Sequence, residues 1–377
     1  MQTRCTLCAR SAPDGNLWCQ RVACSPNQLM PIFERGDHIG EFEIKRVIEQ
    51  LPNATLYQVD HKGALVWLKI AHLDTDADLR AQLGYARGLK DEAKRLQGVS
   101  HPMLPALLPP YKGVALQADP YGKITLDGRL YYYSVFAAVE GATLREMLNE
   151  TPQPALDEVG MIAVQIAEVL VYLREQLKLR HLALIPERVF IRRDREGLPR
   201  VLLLDLGLAA PRDQNRLPAH LAERLTRFVP IAYTAPETFE GRYSAQTDVY
   251  GLAALLFEML AGQPPFDRFN TTGALTRRLI SDGETAQLVR VDIAQGKLKG
   301  LTDTVQSGLN VSEDKRGLSD VSGFQQRLET WFGAMPTERT RRFTLSEEQR
   351  FVILSALVAI IAVALVIGIA ASAGIMQ

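Results

Sequence analysis

The apolar residues change period part-way along the chain, and that change limits the folds open to it. From Gly40 they alternate with polar ones: over Phe42 to Ile48, then Thr55 to Val59, then Ala64 to Ile70. Alternation of period two predicts three strands, each with one buried face, joined by turns. A short helix is expected at about 88–98, and a further strand over 131–138. After Pro154 the apolar spacing becomes that of a helix, most clearly over 157–176 and 248–261. Strands first and helices second predict an α+β protein in two parts. No internal repeat or low-complexity run interrupts the pattern.

Charge excludes one class of partner. The 377 residues carry 43 basic and 43 acidic side chains, so nothing draws the chain as a whole toward nucleic acid. Of its residues, 47% are hydrophobic, a globular composition, but part of that share is concentrated at one end. From Phe351 to Met376 there is no charged side chain. As a helix this stretch would reach about 39 Å, against a hydrocarbon core of about 30 Å. A single transmembrane helix over 351–376 is the expectation, with a buried core helix as the alternative. Arg339, Arg341, Arg342 and Arg350 precede the stretch and only Gln377 follows it. The basic flank predicts a single-pass, tail-anchored membrane protein with the preceding 350 residues cytoplasmic. Within the span Ala364, Gly368 and Ser372 repeat at every fourth residue, a spacing that permits close helix pairing and a homodimer. Chance in an alanine-rich segment is the competing explanation.

All four cysteines, Cys5, Cys8, Cys19 and Cys24, fall in the first 24 residues. Two thiol pairs flanking a turn-forming Pro13-Asp14-Gly15-Asn16 suit tetrahedral Zn²⁺. A segment so short needs metal to fold. Structural zinc is the first reading, and unligated or redox-active thiols the second. The segment resembles a short zinc ribbon, although four residues in its second pair is a loose spacing.

The run from Arg180 to Ile191 resembles the catalytic loop of protein kinases, with His181, Pro186, Glu187, Val189 and Ile191 in matching places. Further motifs follow in order. Val66-Trp67-Leu68-Lys69 is similar to the family's lysine strand. Glu92 stands where the glutamate paired with that lysine is expected. Asp205-Leu206-Gly207 resembles the metal-binding DFG element. Ala235-Pro236-Glu237 matches APE, Asp248-Val249-Tyr250 resembles the opening of the central helix, and Arg316 fits the arginine that pairs with the APE glutamate. The resemblance, to a bacterial Ser/Thr-kinase-like domain, covers residues 40–333 and implies a bilobal fold. The N-lobe would run over about 40–139 and the C-lobe over about 140–333. A four-cysteine segment (1–30) and a linker (31–39) would precede it. A connector (334–350) and the membrane helix (351–376) would follow.

The resemblance implies ATP and Mg²⁺ as cofactors, held through Lys69, Glu92 and Asp205, but several residues depart from it. Ala183 stands at the place of the catalytic aspartate and cannot accept a proton. Arg188 replaces a metal-binding asparagine; a guanidinium ligates no cation, and Asp205 is its expected partner. Ile185 and Leu182 replace a lysine and an arginine. The phosphate loop carries Glu49, Leu51 and Ala54 at the three glycine positions, so backbone N–H groups approach a phosphate poorly. Trp67 replaces an alanine that lies against adenine in the family. Its indole either fills that slot or turns aside. Asp205 stays open between a structural role and weak metal or nucleotide binding.

No catalytic residue is expected on this reading. The chain would be a membrane-anchored cytoplasmic pseudokinase, a regulatory or scaffolding module for a protein partner such as a kinase, a phosphatase or another signalling protein. A divergent Ser/Thr protein kinase is the alternative. A sensor binding another small ligand in the degraded cleft is a third.

Overall fold

A computed structural model describes residues 2–5, 29–51, 53–73, 79–110, 119–266 and 300–333. The expected membrane span, its connector and the Ala364/Gly368/Ser372 motif lie outside the described residues, as do Cys8, Cys19 and Cys24. Among the described residues no helix is long and apolar enough to cross a membrane, and no group of three or more metal-ligating side chains forms. Cys5 ends strand β1 (Gln2–Cys5), which pairs antiparallel with β2 (Leu29–Ile32) in the register Cys5 to Leu29.

The alternating region folds as expected into an antiparallel sheet. Its seven strands are β3 (His38–Ile39), β4 (Phe42–Gln50), β5 (Ala54–His61), β6 (Ala64–Ala71), β7 (Leu107–Leu108), β8 (Gly122–Leu126) and β9 (Arg129–Ala137). The order is β3-β4-β5-β6-β9-β7, with β8 also on β9. Period two sends one residue set to each face. Tyr57, Val59, Val66, Leu68, Ile70, Tyr131, Tyr133 and Val135 make an outer core, whereas Leu56, Trp67 and Phe136 join the main core below.

The segment expected to link the cysteines to the sheet is part of the N-lobe instead. Ile32 is buried, β3 pairs with β4, and the Phe33 ring packs edge-on against Tyr57 and Tyr131. The aromatic at position 33 gains more by covering the outer core than the chain gains by leaving it a free tether.

Helix α1 (Leu79–Leu96) starts nine residues earlier than the expected 88. Gly84 and Gly88 obscure it in the sequence, since each costs about 1 kcal/mol in a helix relative to alanine. Burial of Tyr85 and Leu89 repays that cost.

The second part holds α2 (Leu144–Glu150), α3 (Leu156–Glu175), α4 (Ala219–Phe228), α5 (Thr247–Ala261), α6 (Leu301–Gly308) and α7 (Val321–Phe332). Two small sheets accompany them: β10 (Ala142–Thr143), β12 (Val189–Arg193) and β13 (Pro199–Leu203) in one, and β11 (Leu179–Arg180) with β14 (Ala210–Pro211) in the other. Thr143 caps α2 through a reciprocal bond with Glu146. Helix α5 is apolar on nearly every side because every side is buried, from Thr247 to Leu260. Where the kinase pattern has glycine, α5 carries Ala253; Gly308 of α6 makes room, since a Cβ there would lie 2.7 Å from the Ala253 methyl.

The candidate nucleotide cleft

Trp67 and Lys69 leave β6 on the same face and point at the second lobe. Lys69 Nζ lies 2.5 Å from Glu92 Oε2 of α1 and 2.8 Å from Asp205 Oδ1. Asp205 sits just after β13 in a left-handed conformation (φ 66°), which aspartate tolerates better than most residues. The turn it opens is tied to α1 twice: Glu92 Oε1 accepts from Leu206 N at 3.1 Å, and Arg95 Nη1 donates to Leu206 O at 2.7 Å.

Arg188 approaches Asp205 from the other side. Its Nε lies 3.2 Å from Asp205 Oδ2, an ion-pair distance without the alignment of a hydrogen bond. The same guanidinium donates through Nη1 to the carbonyl of Ala183. Two cations, Lys69 and Arg188, thus face two carboxylates, Glu92 and Asp205, all buried. Burial alone would raise the Asp205 carboxyl, but Lys69 and Arg188 outweigh it and hold that group well below the usual range.

The loop bearing Ala183 is fixed by its backbone. Asp248 of α5 accepts from His181 N at 2.9 Å and from Leu182 N at 2.8 Å, with Leu182 at φ 64°. His181 donates through Nε2 to Leu204 O, and burial pushes its pKa down to about 4. Lower in the same lobe Glu237 and Arg316 form a two-pronged pair at 2.8 and 2.6 Å. Thr247 Oγ1 donates to the same carboxylate.

Trp67 is fully buried and meets Phe190 of β12, the ring centroids 4.9 Å apart and 75° between planes. Two rings in direct contact leave no room for a third between them. The β4–β5 loop also turns inward: Leu51, Asn53 and Ala54 are buried. His72 holds it, donating its backbone N–H to Asn53 O and its ring N–H to Leu51 O.

The scaffold of Lys69, Glu92, Asp205, the Glu237–Arg316 pair and the central helix settles the fold, and a comparison of the sequence settles the family. Residues 60–316 match the protein kinase domain. This chain belongs to the protein kinase family. It is similar to serine/threonine-protein kinase pkn2 of Myxococcus xanthus, 28% identical over 258 residues, or 67% of this chain and 28% of that one. It is also similar to serine/threonine-protein kinase PknF of Mycobacterium tuberculosis, 27% identical over 218 residues, 56% of this chain and 40% of the relative. A third relative, serine/threonine-protein kinase AtPK2/AtPK19 of Arabidopsis thaliana, is 24% identical over 301 residues, 79% of this chain and 56% of its own. The chain spans between 28% and 56% of the length of these kinases.

Sequence reasoning placed Lys69, Glu92, Asp205, Arg188, Ala183 and Trp67 around one kinase cleft, and the structure brings them together. It did not single out Phe190, Asn53, Arg224 or Arg145. Arg145 of α2 contacts Glu187 at 2.7 Å, Glu258 at 2.6 Å and the Tyr233 hydroxyl at 3.0 Å. No local pattern marks such residues, because their partners are distant in the chain: 42 to 113 positions for Arg145 and 171 for Arg224 and Asn53.

Proposed function

We propose that this kinase-family chain is a pseudokinase, a regulatory or scaffolding module that binds a protein partner without transferring phosphate. The observation carrying this reading is the double neutralisation of Asp205. Its two carboxylate oxygens face Lys69 and Arg188. A metal ion would have to displace a buried arginine to reach it.

ATP and Mg²⁺ are the cofactors the family implies, and the residues present do not fit them. Arg188 occupies the metal side of Asp205. The Trp67–Phe190 contact occupies the place expected for adenine. Leu51 and Asn53 fill the phosphate end, and Ala183 offers no base. Losing a positioned base alone costs about 10²- to 10⁴-fold in rate. Loss of metal and phosphate stabilisation adds to that, because phosphoryl transfer rests on positioning and electrostatics.

The reading extends to three further features: structural zinc on Cys5, Cys8, Cys19 and Cys24, a membrane anchor over 351–376, and a cytoplasmic placement of the kinase-like domain. The β1–β2 pairing supports the first, since it brings together Cys5 and Leu29, which bracket the other three cysteines in the sequence. Metal analysis of the purified chain and of a Cys5→Ser variant tests it.

A second reading has one observation behind it. The Lys69–Glu92–Asp205 constellation is intact, and the relatives carry the names of serine/threonine kinases. A divergent Ser/Thr kinase would use it with another base. Calorimetry of ATP binding to the detergent-solubilised full chain, with and without Mg²⁺ and alongside Trp67→Ala, separates the two. The pseudokinase reading expects no binding by the wild type and binding gained by the variant. Mg²⁺-dependent wild-type binding, with Asp205-dependent transfer to protein, would replace it with the second.

A further inference from the structure

The β4–β5 loop at the cleft is held by a residue that belongs to neither the kinase scaffold nor its known departures. Arg224 lies on α4, in the segment between Leu208 and Tyr233, and is 7% exposed. Its Nη1 donates to Asn53 Oδ1 at 3.0 Å and to Gly84 O at 2.9 Å. One side chain therefore ties α4 to the inturned β4–β5 loop of the N-lobe and to α1. These partners lie 171 and 140 positions away in the chain.

We infer that α4 is a latch, which clamps the β4–β5 loop into the cleft through Arg224 and whose release opens the cleft. The inference rests on the closed-cleft reading given above and deepens it by naming how the closure is controlled.

Three observations carry it. The surroundings are shaped for this contact: a Cβ on Gly88 would lie 2.4 Å from Arg224 Nη1 and 3.2 Å from the Asn53 amide, and one on Gly207 would lie 2.5 Å from Asn53 Nδ2. The chain offers bare backbone on both α1 and the Asp205 turn where loop and latch meet. Next, the acceptors of Arg224 are neutral, an amide oxygen and a backbone carbonyl, with its own helix's His220 O at 3.3 Å from Nε. Among the described residues no carboxylate contacts this guanidinium, which therefore keeps much of its desolvation cost, so the closure is weaker than the Glu237–Arg316 brace. Finally, Asn53 Nδ2 is buried without a partner among the described residues, so the inturned loop is incompletely satisfied by its own contacts and depends on what holds it from outside. Leu221 and Leu225 seat the helix on the main core, so α4 is a packed cover and not a free strand.

The test uses the full-length chain with Trp67 as its sole tryptophan (Trp18→Phe, Trp331→Phe). Acrylamide quenching reads Trp67, and amide exchange reads Leu51 and His72, whose N–H groups hold the loop. A freely quenched Trp67 in this parent would sink the closed-cleft reading itself. With Trp67 shielded, Arg224→Ala is expected to raise quenching and to speed exchange at Leu51 and His72 by about tenfold or more. Amides within α5 should keep their protection, showing an intact fold. Unchanged exchange at Leu51 and His72 overturns the latch while leaving the closed cleft standing. Should Arg224→Ala fail to fold, Asn53→Ala decides, because it removes the acceptor and leaves α4 untouched: faster exchange at His72 supports the latch and no change overturns it. Where both variants fold, the double variant should exchange no faster than Arg224→Ala; additive effects would mean the two residues act separately.

Discussion

Arg188 and Asp205 face each other inside the cleft, Nε to Oδ2 at 3.2 Å, both side chains fully buried. This pair is a buried ion pair inside the cleft, and its removal should be costly. Arg188→Leu leaves Glu92 and Asp205 sharing one cation, Lys69. Breaking a buried pair from one side costs about 3–5 kcal/mol, mostly as the price of the charge left behind. Asp205→Asn in the same background should recover more than half of the loss, since it deletes the stranded charge. Urea denaturation of the two single variants and the double gives the coupling directly. Additive losses would show that the pair contributes nothing as a pair.

Trp67 should behave as a core residue and not as the lining of an open site. Trp67→Ala deletes a fully buried indole, and large-to-alanine changes of this kind cost about 3–5 kcal/mol. Its edge contact with Phe190 is a separate quantity. A double-mutant cycle of Trp67→Leu and Phe190→Leu should give a coupling of about 0.5–1.5 kcal/mol beyond the area lost. Thermal unfolding provides both numbers. A neutral Trp67→Ala would mean that the indole rests in a loose, solvent-filled cleft.

The legible part of this protein was the part written in local patterns. Alternation over 42–70 and helical spacing over 157–176 and 248–261 gave elements whose ends the structure reproduces to within two residues. Lys69, Glu92 and Asp205 were readable because each sits in a short motif of its own. Helix α1 was cut short because Gly84 and Gly88 look like breakers, although Gly88 is there to admit Arg224 and Asn53. Phe33 was read as linker because a single aromatic carries no period. Arg224 and Asn53 were illegible for a different reason. A contact across 171 positions is decided by how two lobes close, and no window of the sequence contains both partners.

The Glu237–Arg316 brace gives a third prediction, with a sign that can be checked in acid. Burial alone would raise the Glu237 carboxyl, but Arg316 and Thr247 hold it below its ordinary value. A depressed carboxyl contributes stability above its unfolded pKa and loses it as the pH falls through the folded one. Arg316→Met should cost about 3–5 kcal/mol at neutral pH. It should also reverse the slope, because an unpaired buried Glu237 prefers its proton. The variant's deficit should therefore shrink between about pH 6 and pH 4. A deficit that stays constant across that range would mean Arg316 acts through packing on Tyr250, which it overlies at 5.2 Å, and not through charge.

The last prediction sets two histidines against one glutamate. His72 and His181 are buried, and desolvation pushes each from 6.5 to about 4. The folded state therefore binds fewer protons than the unfolded one between those values, and stability falls as the pH falls from about 6.5. Glu49 lies near the end of β4, close to Glu187, Glu146 and Arg145; burial first and then Glu187 raise it from 4.5 to about 8. There the folded state keeps a proton the unfolded state has released, so stability falls as the pH rises through that window and the loss is complete above about 8. Below about 6.5 the two histidines outweigh the glutamate, and above it the glutamate acts without them. For these three groups the stability maximum falls near pH 6.5. Glu49→Gln should leave the acid limb, make it steeper and abolish the decline between about pH 6.5 and 8. Urea midpoints of both proteins across pH 5 to 9 test this. Parallel curves would show that Glu49 ionises in the cleft without cost, and that the carboxyl faces water instead of Glu187.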